Sequence, residues 1–274
     1  MIPVTYVINL AASTARWRDM QPLLSAMQLP NCIRFEAIEG AALTAMDLAA
    51  LEAEGQLISS SGDFDAKCRL GEIGCALSHR GVLADIVRRR LPSALILEDD
   101  IELDGEAAAW PDRFARGFAD LPDGWELWYL YRCFDIEHRV RRLSPRTIVP
   151  WTPQGGAAYA VTLAGAQKLL AALTPVTSAV DRIYAPLVQS RVVSAYAASP
   201  MLIQPGAHPS VINRDNPSKQ WVENGVNRPP EYWPEAYLEH LGEAIPPPLA
   251  PESSRSTLWQ SLVNRARRLV RRSS

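Results

Sequence analysis

The sequence predicts an α/β protein, a mostly parallel twisted sheet flanked by helices, and three observations predict it. Short β-branched or apolar runs alternate with helix-length stretches between residues 4 and 204, the pattern of strands joined by crossover helices. One run, Ser93-Ala94-Leu95-Ile96-Leu97, has no alternation of apolar and polar residues, as expected of a strand covered on both faces. That run stops at three consecutive carboxylates, Glu98, Asp99 and Asp100. The carboxyl ends of strands are where open α/β sheets bind ligands.

Taken in order, residues 4–10 (VTYVINL) form a first central strand. Ser13 or Thr14 caps a helix running towards Met27, which Pro22 kinks or divides. Residues 34–38 make a second strand, Gly40 a turn, and residues 44–54 a helix ended by Gly55. After an irregular stretch, a longer helix spans residues 71–90, with Ile73, Ala76, Leu77, Leu83, Ala84 and Val87 as its buried stripe. Glu72, Cys75, Ser78 and His79 share a neighbouring face, because positions three, four and seven apart stack along a helix. The acid-tipped strand follows. Residues 107–119 read as a helix and residues 126–131 as a strand, before a long loop or irregular hairpin over 133–153. A glycine-led strand covers residues 155–161, helices cover 164–173 and 180–188, and 192–196 and 201–204 are the last two strands.

This gives a catalytic-size domain over residues 1–212, a proline-rich wrap and linker over 213–252, and a basic amphipathic helix over 253–274. Composition, with 47% apolar and 21% charged residues, is that of an ordinary globular protein. The formal charge of −2 conceals an asymmetry: residues 255–274 carry six arginines and no acid. Removing that charge leaves the preceding chain at −8, which argues against nucleic acid as a partner. Four cysteines without a CxxC pair fit a reduced, cytoplasmic protein. No basic leader opens the sequence, and no apolar run approaches the ~18 residues that span a bilayer. In the tail, Leu258, Trp259, Leu262, Val263, Ala266, Leu269 and Val270 occupy one helical sector opposite the arginines. Such a helix lies in an anionic membrane interface or docks on protein with its arginines in solvent. The expected location is therefore the cytoplasm, peripheral on the inner face of the membrane.

Three adjacent acids repel one another, so a positive group is expected among them. A hard divalent cation suits them, because Mg2+ and Mn2+ take one or two carboxylates plus substrate phosphates. Acids at a helix N-terminus are the alternative. Cys68, Cys75 and His79 raise the question of zinc, but no fourth ligand and no standard spacing accompany them.

Four stretches in order resemble glycosyltransferase family 25, the lipopolysaccharide and procollagen galactosyltransferases. They are YVINLAASTARW (Tyr6 to Trp17), LGEIGCALSH (Leu70 to His79), LILEDDIEL (Leu95 to Leu103), and GGAAYAVTLAGAQKLL followed by SAVDRIY (Gly155 to Tyr184). The resemblance covers residues 4–212 and departs from the family's usual pattern at Ala11–Ala15 and at Val211.

It implies a GT-A-type nucleotide-sugar-binding fold, a UDP-sugar donor, Mn2+ or Mg2+ as cofactor, and a lipopolysaccharide or other glycan acceptor. Asp100 is then the direct metal ligand, with Glu98 on the same side of an extended segment and His208 completing the shell. Asp99 points the other way, towards the ribose or a backbone amide. Asn9, Arg16, Ser78, His79, Glu98, Asp99, Gly155 and Gly156 line the donor site. Asp181 is the carboxylate base that an inverting transfer requires.

Each residue has a plainer reading: a turn or cap for Asn9, a solvated arginine for Arg16, and a buried polar network for Glu72, Ser78 and His79. The plainer readings of the others are a strand bulge at Gly155-Gly156, a helix cap at Asp181 and a loop histidine at His208. A Mg2+-dependent sugar nucleotidyltransferase and a non-catalytic membrane-associated protein are the alternatives for the whole chain.

Overall fold

The computed structural model describes residues 3–29, 32–65 and 68–206. The proline-rich segment, the basic tail and His208 lie outside the described residues. The strands are β1 (Val4–Asn9), β2 (Cys32–Glu36), β3 (Ser93–Glu98), β4 (Ile101–Leu103), β5 (Leu127–Tyr129), β6 (Arg141–Arg142), β7 (Thr147–Val149), β8 (Ala158–Thr162), β9 (Ala195–Ala198) and β10 (Ile203–Pro205). The helices are α1 (Thr14–Ala26), α2 (Ala45–Ala53), α3 (Arg69–Arg89), α4 (Trp110–Ala119), α5 (Leu163–Ala172) and α6 (Val180–Gln189).

Eight strands form one sheet in the order β2-β1-β3-β8-β5-β9-β7-β6. Following the pairings across it, six strands run in one direction and only β8 and β7 are reversed. The expected α/β class is what the structure has. β3 lies between β1 and β8, so both its edges are paired and both its faces are covered.

Alternation along the strands divides the core in two. Ala94 and Ile96 of β3 face one cluster with Tyr6, Ile8, Tyr159, Val161 and the inward sides of α3, α5 and α6. Leu95 and Leu97 face the other, with Val7, Trp128, Ala160 and the inward sides of α1 and α4. This is why β3 is apolar at every position.

Helix α3 departs in detail from the predicted stripe. Val82 and Ile86 are fully buried and Ala84 is exposed. The helix packs on β1 and β3, and also on α5, α6 and the turn at residues 40–42, so its covered sector is rotated and wider than a single apolar stripe. Pro22 lies within α1 without dividing it; Met20 and Leu24 are buried beneath the helix and offset the roughly 3 kcal/mol that an interior proline costs. The predicted hairpin over 133–153 contains β6 and β7, tied down by Asp135, which accepts from Ile136, Trp151 and Thr152 backbone N–H groups.

Helix α3 is keyed to the preceding loop by two glycines. A methyl group on Gly40 would lie 1.8 Å from the Leu70 carbonyl oxygen, and one on Gly74 would lie 2.6 Å from Gly40 N and 2.7 Å from Ile38 O. All of these neighbours are backbone, which cannot rotate away. Beside them, Ser78 Oγ accepts from Ile38 N at 2.8 Å and donates to Gly74 O at 2.6 Å. Gly74→Ala is therefore expected to destabilise the fold by about 1–3 kcal/mol, the range for overpacking a tight contact. Chemical denaturation measures this, and an unchanged midpoint would show that the interlock does not matter.

Candidate active site

The alternation of β3 continues into the acids. Glu98 has the parity of Ala94 and Ile96 and turns towards α3; Asp99 has the parity of Leu95 and Leu97 and turns towards α1. Glu98 Oε1 lies 3.1 Å from His79 Nε2. Asp99 is buried and accepts from Asn9 Nδ2 at 2.5 Å and from Arg16 Nη1 at 2.7 Å. Asp100 lies in the bend between β3 and β4, with Arg16 Nη1 at 3.6 Å.

Asn9 ends β1 beside Glu36 and one register position from Glu98. Its amide donates to Asp99 and to Ser13 O at 3.2 Å, and accepts from Arg34 Nε at 2.8 Å. The side chain is 1% exposed. Its place is that of a brace, not of the ligand-facing residue that the sequence suggested. Ser78 is corrected in the same way: its hydroxyl is buried and engaged on Ile38 and Gly74 backbone. Asp99 is held by the Asn9 and Arg16 side chains. Arg16 reaches the acid cluster directly and is not a solvated first-turn residue.

His79 is fully buried, with Nδ1 3.0 Å from Tyr159 Oη, which lies 3.3 Å from Tyr184 Oη. The glycine pair sits next to it. A methyl on Gly156 would lie 3.4 Å from Glu98 Oε1, 3.5 Å from His79 Nε2 and 2.9 Å from Val180 Cγ1. Gly155 has φ +104°, backbone that favours glycine, and its N–H points at Asp181 Oδ2 at 3.4 Å. The pair therefore runs from the acid strand to α6, and brings Asp181 and Glu98 to opposite ends of one short backbone segment. Asp181 is in the first turn of α6 but is not its cap, which is Ala179.

Two participants were not singled out by sequence reasoning. Tyr159 was read only as part of a strand; a tyrosine flanked by alanines in a buried strand is the signal that its hydroxyl has a partner. Arg182 follows Asp181 and bonds Glu72 Oε1 at 2.6 Å and the Asp63 carbonyl. Glu72 also accepts from Asp65 N at 2.9 Å, so the motif glutamate ties α6 and the loop before α3 together. Burial pushes the Glu72 carboxyl up, and Arg182 partly reverses that.

The electrostatics favour a cation. Among the described residues, Asp99 and Asp100 share the Arg16 guanidinium, which lies closer to Asp99, while Glu98 faces His79. Burial and then the neighbouring Glu98 push the Asp100 carboxyl up to about 7. Burial and then Glu98, Asp181, Asp100 and Glu72 likewise push the Cys75 thiol well above its ordinary value. An excess of carboxylate oxygen at Glu98 and Asp100, each with side-chain exposure between one fifth and one quarter, is a donor set that fits a hard divalent ion.

Comparison with known proteins agrees with the motifs. Residues 2–123 match the family described as Glycosyltransferase family 25 (LPS biosynthesis protein), and human procollagen galactosyltransferase 2 is 28% identical over 226 residues. The chain is similar to glycosyltransferase family 25 over these stretches. The human alignment covers 73% of this chain and 34% of that protein, so the chain spans about a third of such relatives. Zebrafish (Danio rerio) procollagen galactosyltransferase 1 is also 28% identical, over 73% of the chain and 36% of that protein. A human protein named inactive glycosyltransferase 25 family member 3 is 35% identical over 104 residues, covering 37% of the chain and 17% of that protein.

Asp100→Asn is expected to raise the melting temperature of the EDTA-treated protein at pH 8 by several degrees. A carboxyl with a folded-state value near 7 is ionised there against burial and repulsion, while in the unfolded chain it ionises freely. The penalty builds between the ordinary carboxyl value and about 7, so the gain shrinks at pH 5. Equal gains at both pH values would show that the charge of Asp100 carries no cost.

Proposed function

We propose that the chain is an inverting, metal-dependent hexosyltransferase, moving a hexose, galactose first, from a UDP-sugar to a glycan acceptor. The observation that supports this most is the arrangement around Gly155-Gly156. Under-compensated carboxylates at the end of β3 stand on one side, and a separate carboxylate, Asp181, stands on the other.

Glu98 and Asp100 would hold the divalent ion. When bound, such an ion neutralises the negative charge that builds on the departing diphosphate. Arg16 adds a fixed positive charge beside Asp100. The Gly155-Gly156 backbone lets the donor approach closely where a side chain would intrude. Asp181 takes the proton of the attacking acceptor hydroxyl at its carboxylate, as the new bond forms on the sugar face opposite the diphosphate. His79, held by Tyr159, fixes Glu98 from behind. His208 is the proposed completing ligand; Gly206, two residues before it in sequence, donates to Asp100 O at 2.6 Å.

For the acceptor we propose a lipopolysaccharide or lipooligosaccharide core at the inner face of the cytoplasmic membrane, approached through the basic tail. The family description names lipopolysaccharide biosynthesis, and the tail's arginines oppose an apolar sector that includes Trp259. A non-catalytic role is the second reading, favoured by the match to a relative named inactive. Incubation with UDP-galactose and Mn2+ separates the two: absence of both UDP release and donor binding ends the enzyme reading. Pyrophosphate release in place of UDP would mark a nucleotidyltransferase.

Asp100→Ala is expected to abolish Mn2+-stimulated UDP-sugar binding, measured calorimetrically. Asp181→Asn is expected to leave that binding intact and to lower turnover by about 10²–10⁴-fold, the usual worth of a general base. Near-normal turnover would exclude Asp181 from that role. Deleting residues 255–274 is expected to release the protein from anionic vesicles while transfer to a soluble acceptor continues; unchanged sedimentation with vesicles contradicts the membrane role.

A further inference from the structure

We infer that Cys75, His79 and Glu98 form a cation site of a different kind, one that takes a soft divalent ion such as Zn2+ or Cd2+. A thiol sulfur, an imidazole nitrogen and a carboxylate oxygen from these residues all lie within 4.8 Å of one another. Cys75 and His79 are four apart on α3 and therefore share a face, and Glu98 arrives from the end of β3. The zinc trio weighed from the sequence contained Cys68; the structure replaces it with Glu98.

Three features make this more than proximity. His79 Nε2 and Glu98 Oε1 face each other at 3.1 Å while Nδ1 meets Tyr159 Oη at 3.0 Å. A metal-binding histidine is characteristically held through its other nitrogen in this way. Next, Gly156 leaves open the space beside the donors, because a methyl there would stand 3.4 Å from Glu98 Oε1 and 3.5 Å from His79 Nε2. Finally, the carboxylates of Glu98, Asp181, Asp100 and Glu72 all act on Cys75, which makes the spot negative. Thiolate and imidazole favour Zn2+ and Cd2+ over Mg2+ and Mn2+, which separates this site from the oxygen-only pair Glu98 and Asp100.

Binding balances simply. The thiol proton leaves to solvent, and thiolate plus carboxylate neutralise the dication. With Nε2 given to the ion, a proton on Nδ1 would be donated to Tyr159 Oη, 3.0 Å away. The fourth position is left to water, as in open zinc sites. Glu98 belongs to both sites, so an ion held by Cys75 withdraws that carboxylate from the donor side. The inference does not rest on the transfer reaction, since its readout is metal binding.

The test titrates the full-length, EDTA-stripped protein with Cd2+ and follows the ultraviolet thiolate-to-cadmium charge-transfer band. One equivalent is expected to saturate the band in the wild type and in Asp100→Ala. The band is expected to disappear in Cys75→Ser, although Cys32, Cys68 and Cys133 are intact there, and His79→Gln is expected to weaken binding by at least about tenfold. X-ray absorption of the zinc-loaded wild type, which does not depend on any variant folding, is expected to show one sulfur and otherwise nitrogen or oxygen ligands. Zn2+ is also expected to slow alkylation of Cys75 selectively. No sulfur or more than one sulfur in the shell, an unchanged band in Cys75→Ser, or equal alkylation rates with and without Zn2+ overturns the site.

Discussion

Negative charge at the end of a buried strand is the constraint on which this molecule depends. β3 is paired on both edges and covered on both faces, so the acids at its end emerge only partly exposed to water. Carboxylates there need partners, since an unpaired buried charge is among the costliest features a fold can carry. The surrounding elements divide the task by parity. Asp99 receives Arg16 from α1 and Asn9 from β1; Glu98 receives His79 from α3. Asp100 is left with a distant share of Arg16, and burial together with Glu98 pushes its carboxyl up to about 7.

The same constraint explains why α3 is fixed so firmly. His79 can meet Glu98 only if the helix keeps its height and rotation against the sheet. Backbone contact through Gly40 and Gly74 sets the height, because neither position admits a methyl group. Ser78, bonded to Ile38 N, sets the rotation from the residue next to His79. Glu72 and Arg182 carry the fixation across to α6, where Asp181 is the neighbouring residue. The motif running from Leu70 to His79 is thus a mechanical link between the acid strand and the helix that bears the second carboxylate.

Much of this was legible in the sequence where signals are local. An unbroken apolar run ending in acids identified β3, and period-2 geometry turned Glu98 and Asp99 to opposite sides, as the structure has them. Helix spacing placed Glu72, Cys75, Ser78 and His79 together. What escaped is non-local. The reversal of β8 between β3 and β5, and the ribbon of β4 with β10, join residues far apart in the chain, such as Leu97 with Ala158 and Leu103 with Ile203, and no periodicity records such pairing. Val192 and Val193 read as strand because they are buried, yet the paired strand begins only at Ala195. Asn9 and Ser78 have side chains suited to ligands, and only their bonded partners show that protein already holds them. The reach of Tyr159 beneath His79 is likewise a product of packing between two elements.

Placing the proposed base on α6, apart from the acid cluster, has a physical logic. A cation site works through crowding: carboxylates close enough to repel one another hold a divalent ion because it relieves the repulsion. A base inside that crowd would have its charge neutralised by the same ion and would lose its hold on a proton. Asp181 avoids this by standing across the Gly155-Gly156 segment, in the first turn of a helix, where backbone N–H groups favour a negative charge. The glycines let the two halves approach without a side chain between them. A larger residue at Gly156 would meet Val180, Glu98 and His79 together, and so would push apart the very groups that the proposed reaction brings to one sugar.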